Sequence, residues 1–294
     1  MGTADGLRTY DRRVEYGGVV LAGGRSSRMG TPKAALEWYG STLLYRTAAI
    51  VARATGGPVV VVRASGQELP ELPKDVTVVD DPREGKGPVQ GIAAGLAALA
   101  GQADAAFVTS TDLPFLHPAF IVAVLRALED GPDVALPVAR GYQQPLAAAY
   151  RTSLAGLAAG LVNDERLRPA FLFQECSVTR LDDAALLADP VLKERDPDLD
   201  SVLNVNTPGE YQAARQRRAP EVTVQLFGAL AKAGRPGGPR QVRAATARGA
   251  ADAAGLRFDR HVTAALNGDQ ITREPATPLA QGDIVFFMSA DAGG

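Results

Sequence analysis

A glycine-rich segment at residues 21–33 combines small residues with cations in a pattern that suits phosphate binding. It reads Leu-Ala-Gly-Gly-Arg-Ser-Ser-Arg-Met-Gly-Thr-Pro-Lys and directly follows a short apolar run. Glycines let the backbone approach a phosphate and turn N–H groups toward it. Arg28 and Lys33 add positive charge for a triphosphate or a leaving pyrophosphate. The spacing matches neither a Walker A loop nor a dinucleotide fingerprint.

Carboxylates follow two further apolar runs. Asp112 comes after the run Ala105–Thr109, and a carboxylate at a strand end in a cleft is well placed to hold Mg²⁺. Such a metal would bridge phosphate oxygens and offset charge on an α-phosphate during attack. Asp80 and Asp81 follow the run Val76–Val79 and are candidates for contact with a ligand at this strand end. Capping of a helix or turn is the alternative role for Asp80.

Two asparagines precede a predicted helix near residue 208. Asn204 and Asn206 carry amide groups that can orient substrate oxygens, and Asn206 can also assist a metal. Thr207 can cap the helix that begins at Pro208, because proline is favoured at the first helical position. Capping is therefore an alternative explanation for this segment.

Composition excludes several other kinds of chemistry. The chain has neither a paired carboxylate dyad nor a Ser/His/Asp triad, which favours catalysis by positioning and charge. One cysteine and two histidines in 294 residues exclude a disulfide scaffold and a Cys/His zinc site.

The 31 Lys and Arg residues nearly balance the 33 Asp and Glu residues, so no basic excess favours DNA or an anionic membrane. Without an apolar run of membrane length or a typical secretory signal, we expect a cytoplasmic protein.

The candidate residues need a scaffold that brings strand ends together. Between residues 16 and 218, apolar runs without polar alternation predict strands buried on both faces of a parallel sheet. Their alternation with helical stretches predicts an α/β, doubly wound, mostly parallel sheet, with ligands beyond the carboxyl ends of the strands. The predicted strands are Gly18–Ala22, Pro58–Arg63, Val76–Val79 and Ala105–Thr109, and the predicted helices are Leu43–Ala54, Val89–Leu99, Pro118–Leu128 and Pro208–Arg217.

A different pattern begins after Ala219-Pro220. Alternating apolar residues from Glu221 predict a half-buried strand, and Asn267-Gly268 predicts a hairpin. The stretch Gly234–Arg243 is a poor strand. The sequence thus predicts an N-terminal extension (1–15), a first domain (16–218) and a small α+β domain (219–294), the last with a helix at Ala245–Leu256 and strands at His261–Leu266 and Asp283–Met288.

The first domain resembles the MobA-like nucleotidyltransferases, most of all the molybdenum cofactor guanylyltransferases. These enzymes join the GMP part of GTP to the phosphate of molybdopterin. The resemblance implies Mg²⁺ as cofactor and GTP as substrate, with Lys33, Arg28 and Asp112 as catalytic residues, Asp112 and Asn206 as metal ligands, and Gln144, Asn204 and Asn206 at the acceptor. It implies nucleotide contacts from Leu21, Ala22, Gly23, Gly24, Arg28, Lys33, Asp80, Asp81, Gly87 and Pro88.

The sequence departs from this family at two positions. A third position indicates which nucleotide base the enzyme uses. Gln90 replaces the usual small residue after Gly87-Pro88, and Gln144 stands where the family often has a histidine. Gly23 matches the Leu-Ala-Gly-Gly of the guanine users, whereas cytidine users often carry alanine there. This favours GTP over CTP.

The last domain resembles the β-grasp (ubiquitin-like) sulfur carriers, MoaD and ThiS. In these carriers the carboxylate of a terminal Gly-Gly, here Gly293 and Gly294, is adenylated and converted to a thiocarboxylate. A tail without side chains can thread a narrow active-site channel. The resemblance implies two protein partners, an E1-like adenylating enzyme and the large subunit of molybdopterin synthase.

Four alternatives remain open from the sequence. The enzyme could be a cytidylyltransferase of the same cofactor, or a nucleotidyltransferase for another phosphorylated acceptor. The chain could instead be a non-enzymatic sulfur carrier with a decayed transferase scaffold. It could also be an active transferase with an inert tail.

Overall fold

The computed structural model describes residues 14–23, 32–82, 85–129, 131–232, 238–268 and 270–290. Its strands are β1 (Tyr16–Leu21), β2 (Glu37–Trp38), β3 (Ser41–Thr42), β4 (Val59–Ala64), β5 (Val76–Asp81), β6 (Ala105–Ser110), β7 (Val134–Ala139), β8 (Tyr142–Gln143), β9 (Ala147–Arg151), β10 (Val178–Asp182), β11 (Glu221–Leu226), β12 (Arg240–Arg243), β13 (Val262–Leu266), β14 (Gln270–Thr272) and β15 (Ile284–Ser289). Its α-helices are α1 (Leu43–Thr55), α2 (Gly87–Leu99), α3 (Pro118–Arg126), α4 (Ala155–Asn163), α5 (Pro169–Leu172), α6 (Asp183–Leu186), α7 (Pro190–Arg195), α8 (Pro208–Gln216), α9 (Ala229–Lys232) and α10 (Ala247–Ala253).

The N-terminal part (residues 14–218) is built on one large sheet. Its strand order is β10-β7-β9-β6-β1-β4-β5, with β8 paired to β7. The central neighbours β6, β1, β4 and β5 run parallel, and β9 is antiparallel to both of its neighbours. The predicted α/β fold is therefore confirmed, with a mixed sheet whose central strands are parallel, and the predicted strands and helices of this part agree with the observed ones to within two residues at each end.

Both faces of this sheet are covered, as the unbroken apolar runs predicted. Val20 and Phe107 face a core that includes residues of α1 and α3. Val19 and Val108 face the opposite core, which includes residues of α2 and α4. Successive residues of a strand point to opposite faces, so a strand between two helical layers must be apolar at every position.

Parallel pairing brings the ends of four strands to one edge. Leu21 at the end of β1 pairs with Ser110 at the end of β6 on one side and with Val62 of β4 on the other. Ala64 pairs in turn with Asp81 at the end of β5. The described residues that directly follow β1, β4, β5 and β6 therefore all leave the sheet along its carboxyl edge.

The C-terminal part (residues 219–290) forms a second sheet with the order β12-β11-β15-β13-β14. The central strands β11 and β15 are parallel, and the other pairs are antiparallel. Residues of β11, β13, β15 and α10 form its apolar core. The predicted hairpin is confirmed, because β13 pairs with β14 and Asn267 and Gly268 both have positive φ angles.

Two predictions for the C-terminal part need correction. The helix predicted at Ala245–Leu256 spans only Ala247–Ala253, because the side chain of Thr246 accepts the N–H of Gly249 and so caps the helix, and Gly255 follows with φ +70°. The stretch Gly234–Arg243 contains the strand β12, which pairs with β11 through backbone hydrogen bonds despite its poor strand composition. Backbone pairing at a sheet edge does not require the alternating apolar pattern.

Across the described ranges, no helix is both long and apolar enough to cross a membrane.

Gly95 sets how closely α2 approaches β1. A Cβ atom at this position would lie 2.3 Å from Val19 Cγ1 and 2.9 Å from Val19 Cγ2. We predict that Gly95→Ala lowers the free energy of unfolding by about 1–3 kcal/mol, because overpacking forces a well-packed core to shift. Urea denaturation measures the change.

Gly160→Ala is the matched control. Nothing lies within 4 Å of a Cβ at this position of α4, so alanine should stabilise the protein by about 0.4–1 kcal/mol through a smaller loss of chain entropy. Equal stability of wild type and Gly95→Ala would contradict the packing account.

Candidate active site

Three of the predicted residues meet at the carboxyl edge of the first sheet. Lys33 Nζ lies 2.8 Å from Asn206 Oδ1 and 3.6 Å from Asp112 Oδ2. The Lys33 and Asp112 side chains are about one-fifth exposed, so the pair is accessible but partly shielded from water. A lysine from the first loop, a carboxylate after β6 and an amide before α8 thus form one polar centre.

Asp112 is held from two sides. Its Oδ1 accepts a short hydrogen bond from Ser110 Oγ, and its backbone oxygen accepts the N–H of Val205 at 2.9 Å. The second bond ties the loop after β6 to the segment that carries Asn206. Because this tie is between backbone atoms, it fixes the spacing of the two loops whatever their side chains do.

A complete capping box orients Asn206. Glu210 Oε2 accepts the backbone N–H groups of Asn206 and Thr207 at 2.7 and 2.9 Å, and Thr207 Oγ1 accepts the N–H of Glu210 at 3.2 Å. These bonds, led by that from Asn206, lower the pKa of Glu210. The predicted cap at Thr207 is confirmed. Sequence reasoning missed Glu210, although a glutamate three residues after a threonine is the usual signal of a capping box.

Asn204 and Gln144 are placed differently. Asn204 is exposed, and none of the contacts described for it joins it to Lys33 or Asp112. Gln144 belongs to the turn between β8 and β9, where its backbone N–H donates to Pro137 O and its amide Nε2 donates to Ala139 O. The side-chain amide of Gln144 therefore supports the turn that precedes Leu146.

A cleft of about 450 Å³ lies beside the polar centre. Its walls are mainly apolar and glycine-rich, which suits a flat base and a sugar. Ser110, which bonds to Asp112, also lines it, so the cleft and the polar centre are adjacent. The lining residues are Leu21, Gly23, Val62, Arg63, Ala64, Asp81, Gly85, Gly87, Pro88, Gly91, Ser110 and Leu146.

Several predicted nucleotide contacts line this cleft, and others do not. Leu21, Gly23, Asp81, Gly87 and Pro88 line it. Two further predicted contacts are placed elsewhere. Ala22 is buried and donates its N–H to Val62 O, and the Asp80 carboxylate pairs with Arg63 Nε at 2.7 Å. Gly24 and Arg28 in the first loop, and Gly293 and Gly294 in the tail, lie outside the described residues.

The N-terminus of α2 adds backbone donors to the cleft. Gly87 begins this helix with φ +73°, and a Cβ there would lie 3.2 Å from Leu167 O, so the position favours glycine. Pro88 follows in the first turn. The first N–H groups of a helix lack partners within the helix and attract anions, so this helix start suits a phosphate or a polar ribose group.

Gln67 holds two walls of the cleft together, and sequence reasoning missed it. Its Nε2 donates to Ala22 O at 3.1 Å, and its Oε1 accepts the N–H of Ala64 at 3.0 Å. Its backbone oxygen accepts a bond from Arg63 Nη1. The side chain thus links the end of β1 to the end of β4. A glutamine in a loop carries no sequence signal for this role.

Comparison with known proteins identifies related chains. Residues 18–178 match the family of MobA-like NTP transferase domains. A probable molybdenum cofactor guanylyltransferase of Bacillus anthracis is 30% identical over 204 residues, which cover 69% of this chain and 96% of that relative. One of Bacillus cereus is 29% identical with the same coverage. Molybdopterin-guanine dinucleotide biosynthesis protein A of Archaeoglobus fulgidus shares the fold, with a TM-score of 0.53, 22% identity and coverage of 68% of this chain and 97% of that one.

We predict that Gln67→Ala weakens binding of a nucleoside triphosphate. The change removes the bonds to Ala22 O and Ala64 N, each worth about 1 kcal/mol to the folded state, and loosens two walls of the cleft. Calorimetric titration measures the binding, and denaturant unfolding measures the stability.

Gln102→Ala is the control, because Gln102 Nε2 makes a single exposed bond to Ala98 O before the opposite, amino end of β6. It should leave nucleotide binding unchanged. Equal binding by wild type and Gln67→Ala would contradict the role given to Gln67.

Proposed function

The chain belongs to the MobA-like NTP transferase family and is a nucleotidyltransferase, and from this we propose that it transfers GMP from GTP to the phosphate of molybdopterin. The observation that carries the proposal is the meeting of Lys33, Asp112 and Asn206 beside a cleft of nucleotide size. The similarity to probable molybdenum cofactor guanylyltransferases supports this choice of substrates.

The proposed reaction is an in-line displacement at the α-phosphorus of GTP. A phosphate oxygen of the acceptor forms the new bond, and the bond to the β-phosphate oxygen breaks as pyrophosphate leaves. The acceptor phosphate is already ionised, so no strong general base is required. The ammonium of Lys33 stabilises negative charge on the phosphates, which is catalysis by preorganised electrostatics. Arg28 is proposed to add a second positive charge.

The residues around Lys33 suit a magnesium ion. A carboxylate oxygen of Asp112 and the amide oxygen of Asn206 both lie close to the Lys33 ammonium. These oxygen atoms therefore already face a positive charge and could also face a metal ion. Within the described part of the chain, no group of three or more His, Cys, Asp or Glu residues forms a metal cage. Mg²⁺ is usually held by one or two carboxylates together with waters and substrate phosphates, and Asp112 supplies such a carboxylate. We propose Asp112 and Asn206 as its protein ligands; bound there, it would neutralise phosphate charge.

Acceptor and base recognition are assigned from the family resemblance. We propose that Asn204, Asn206 and Gln144 lie on the acceptor side. Gly23 supports GTP, and its surroundings give a second reason for glycine, because a Cβ at this position would lie 3.2 Å from Ala64 N. A CTP-specific enzyme with the same mechanism is the alternative.

We predict that Asp112→Asn and Lys33→Met each lower kcat by about 10²–10³-fold, the usual cost of one lost electrostatic contact to a transition state. Both variants should unfold like the wild type, because the side chains are partly exposed. Pyrophosphate release with Mg²⁺ and each of the four nucleoside triphosphates measures turnover and base preference.

Lys193→Met is the control for Lys33→Met, because it also removes one lysine charge, but from the exposed last turn of α7. It should leave kcat unchanged. Near-normal turnover of Asp112→Asn would contradict the site. A preference for CTP would keep the mechanism and change the product, whereas no turnover or binding of any nucleotide would favour a non-enzymatic carrier.

We further propose that residues 16–218 and 219–294 are separate domains and that the second is a β-grasp sulfur carrier. The strand order β12-β11-β15-β13-β14 with a parallel central pair supports this, because it is the order of ubiquitin-like sheets. The proposed partners are an E1-like adenylating enzyme and the large subunit of molybdopterin synthase. With ATP, the Gly294 carboxylate would form an acyl-adenylate and release pyrophosphate; sulfide-level sulfur would then displace AMP and leave a thiocarboxylate.

Intact-mass measurement tests the carrier proposal. After incubation with the adenylating enzyme, ATP and sulfide, we predict the mass gain of one oxygen replaced by one sulfur, located in the C-terminal peptide. Gly294→Ala controls for modification elsewhere in the chain. An unchanged mass in the wild type would contradict the carrier role and leave the transferase with an inert tail.

A further inference from the structure

A buried arginine joins the loop after Asp112 to the C-terminal part of the chain. Arg46 of α1 is only 8% exposed, and its guanidinium donates from Nε to Pro114 O at 2.8 Å and from Nη1 to Leu279 O at 3.2 Å. Burial lowers the pKa of Arg46 to about 10, so the group stays charged at neutral pH. One side chain therefore holds carbonyl oxygens of both parts.

The C-terminal side of this contact is buried and held in place by hydrogen bonds. Leu279 and Ala280 are buried, and Asp283 is 5% exposed. The Asp283 carboxylate accepts the N–H of Ala280 at 2.7 Å and the amide of Asn267 at 3.0 Å. These bonds fix the segment 278–283 within the C-terminal part, so Leu279 O offers Arg46 a fixed acceptor.

His117 makes a second link to the same segment. Its Nδ1 accepts the N–H of Ala119, so the neutral ring carries its proton on Nε2 and donates it to Gln281 O at 3.0 Å. Burial is the main cause that lowers the pKa of His117, which keeps the ring neutral near pH 7. The loop 113–117 is thus linked to the segment 278–283 through Arg46 at Pro114 and directly by His117 at its other end.

Movement of this loop would be transmitted to Asp112. Pro114 lies two residues after Asp112 in the chain. Leu113 and Leu116 are 3% and 2% exposed, and a turn bond runs from the N–H of Leu116 to Leu113 O. A loop packed this tightly cannot shift at Pro114 while Asp112 stays in place, because close-packed interiors transmit strain.

We infer that Arg46 is a positioning residue that fixes the Asp112 loop against the segment 278–283. Binding of the metal and nucleotide by the N-terminal part therefore depends on the C-terminal part. The inference rests on the proposed role of Asp112. It gives the C-terminal part a function in the transferase reaction, independent of any chemistry at its tail.

Arg53 supplies the matched control. It lies two turns further along α1, and its Nη1 pairs with Asp283 Oδ2 at 2.9 Å and donates to Pro278 O at 3.3 Å. Arg53 therefore holds the same segment, and none of its described hydrogen bonds reaches the loop 113–117, although burial and, to a smaller degree, the charge of Arg53 lower the pKa of His117 in that loop. A purely structural role at this interface would make Arg46 and Arg53 variants behave alike.

The test uses the full chain as wild type, Arg46→Met, Arg46→Lys and Arg53→Met. Amide hydrogen exchange of the peptide that contains residues 112–117 reports the loop, and the Mg²⁺ concentration needed for half-maximal GTP binding reports Asp112. We expect Arg46→Met to speed exchange in the loop and to raise that concentration by about 2- to 30-fold, the range of coupling seen for such residues. Arg46→Lys should recover part of both effects, and Arg53→Met should show neither.

Equal effects of Arg46→Met and Arg53→Met, or no effect of Arg46→Met, would overturn the inference. If the wild type binds no GTP with Mg²⁺, the proposed function fails separately. Hydrogen exchange then decides the positioning role alone: faster loop exchange only in the Arg46 variants upholds it, and equal exchange in all variants overturns it.

Discussion

The parallel pairing of β1 with β6 is the constraint on which the candidate site depends. It sets Leu21 beside Ser110, so the chain after Leu21 and the Asp112 loop leave the sheet at neighbouring positions. The backbone bond from Val205 to Asp112 O then brings in the segment of Asn206. Charge alone would not hold these residues together, because a partly exposed ion pair contributes little to stability. The polar centre is therefore a product of sheet register and backbone hydrogen bonds.

The sheet register also explains the division of the site into a polar and an apolar half. On one side of β1, Asp112 follows β6 and faces Lys33. On the other side, β4 and β5 lead to the apolar, glycine-rich walls of the cleft. This arrangement suits a ligand with a charged chain at one end and a flat ring at the other, as in a nucleoside triphosphate.

Much of this was predictable from the sequence, for physical reasons. Strands buried on both faces must be apolar throughout, so β1, β4 and β6 are visible as unbroken runs, and strand ends in a parallel sheet must share an edge, which led to Lys33 and Asp112. Gln67 and Arg46 were not predictable. Their roles arise from hydrogen bonds to backbone oxygens far away in the chain, as between Arg46 and Leu279. A backbone oxygen is present at every residue, so no residue type marks the partner. The edge strand β12 looked like a poor strand in the sequence for a similar reason, since its pairing depends on the backbone of β11.

The central claim is that Lys33, Asp112 and Asn206 form one site for the metal and phosphates of a nucleotide. A crystal structure of the full chain with Mn²⁺ and a non-hydrolysable GTP analogue tests it most directly, because Mn²⁺ reveals its own position by anomalous scattering. The account predicts a metal peak bonded to the Asp112 carboxylate, triphosphate oxygens within hydrogen-bond distance of Lys33 Nζ, and the base in the cleft between β1 and α2. A metal or triphosphate bound away from Asp112 and Lys33 would contradict it.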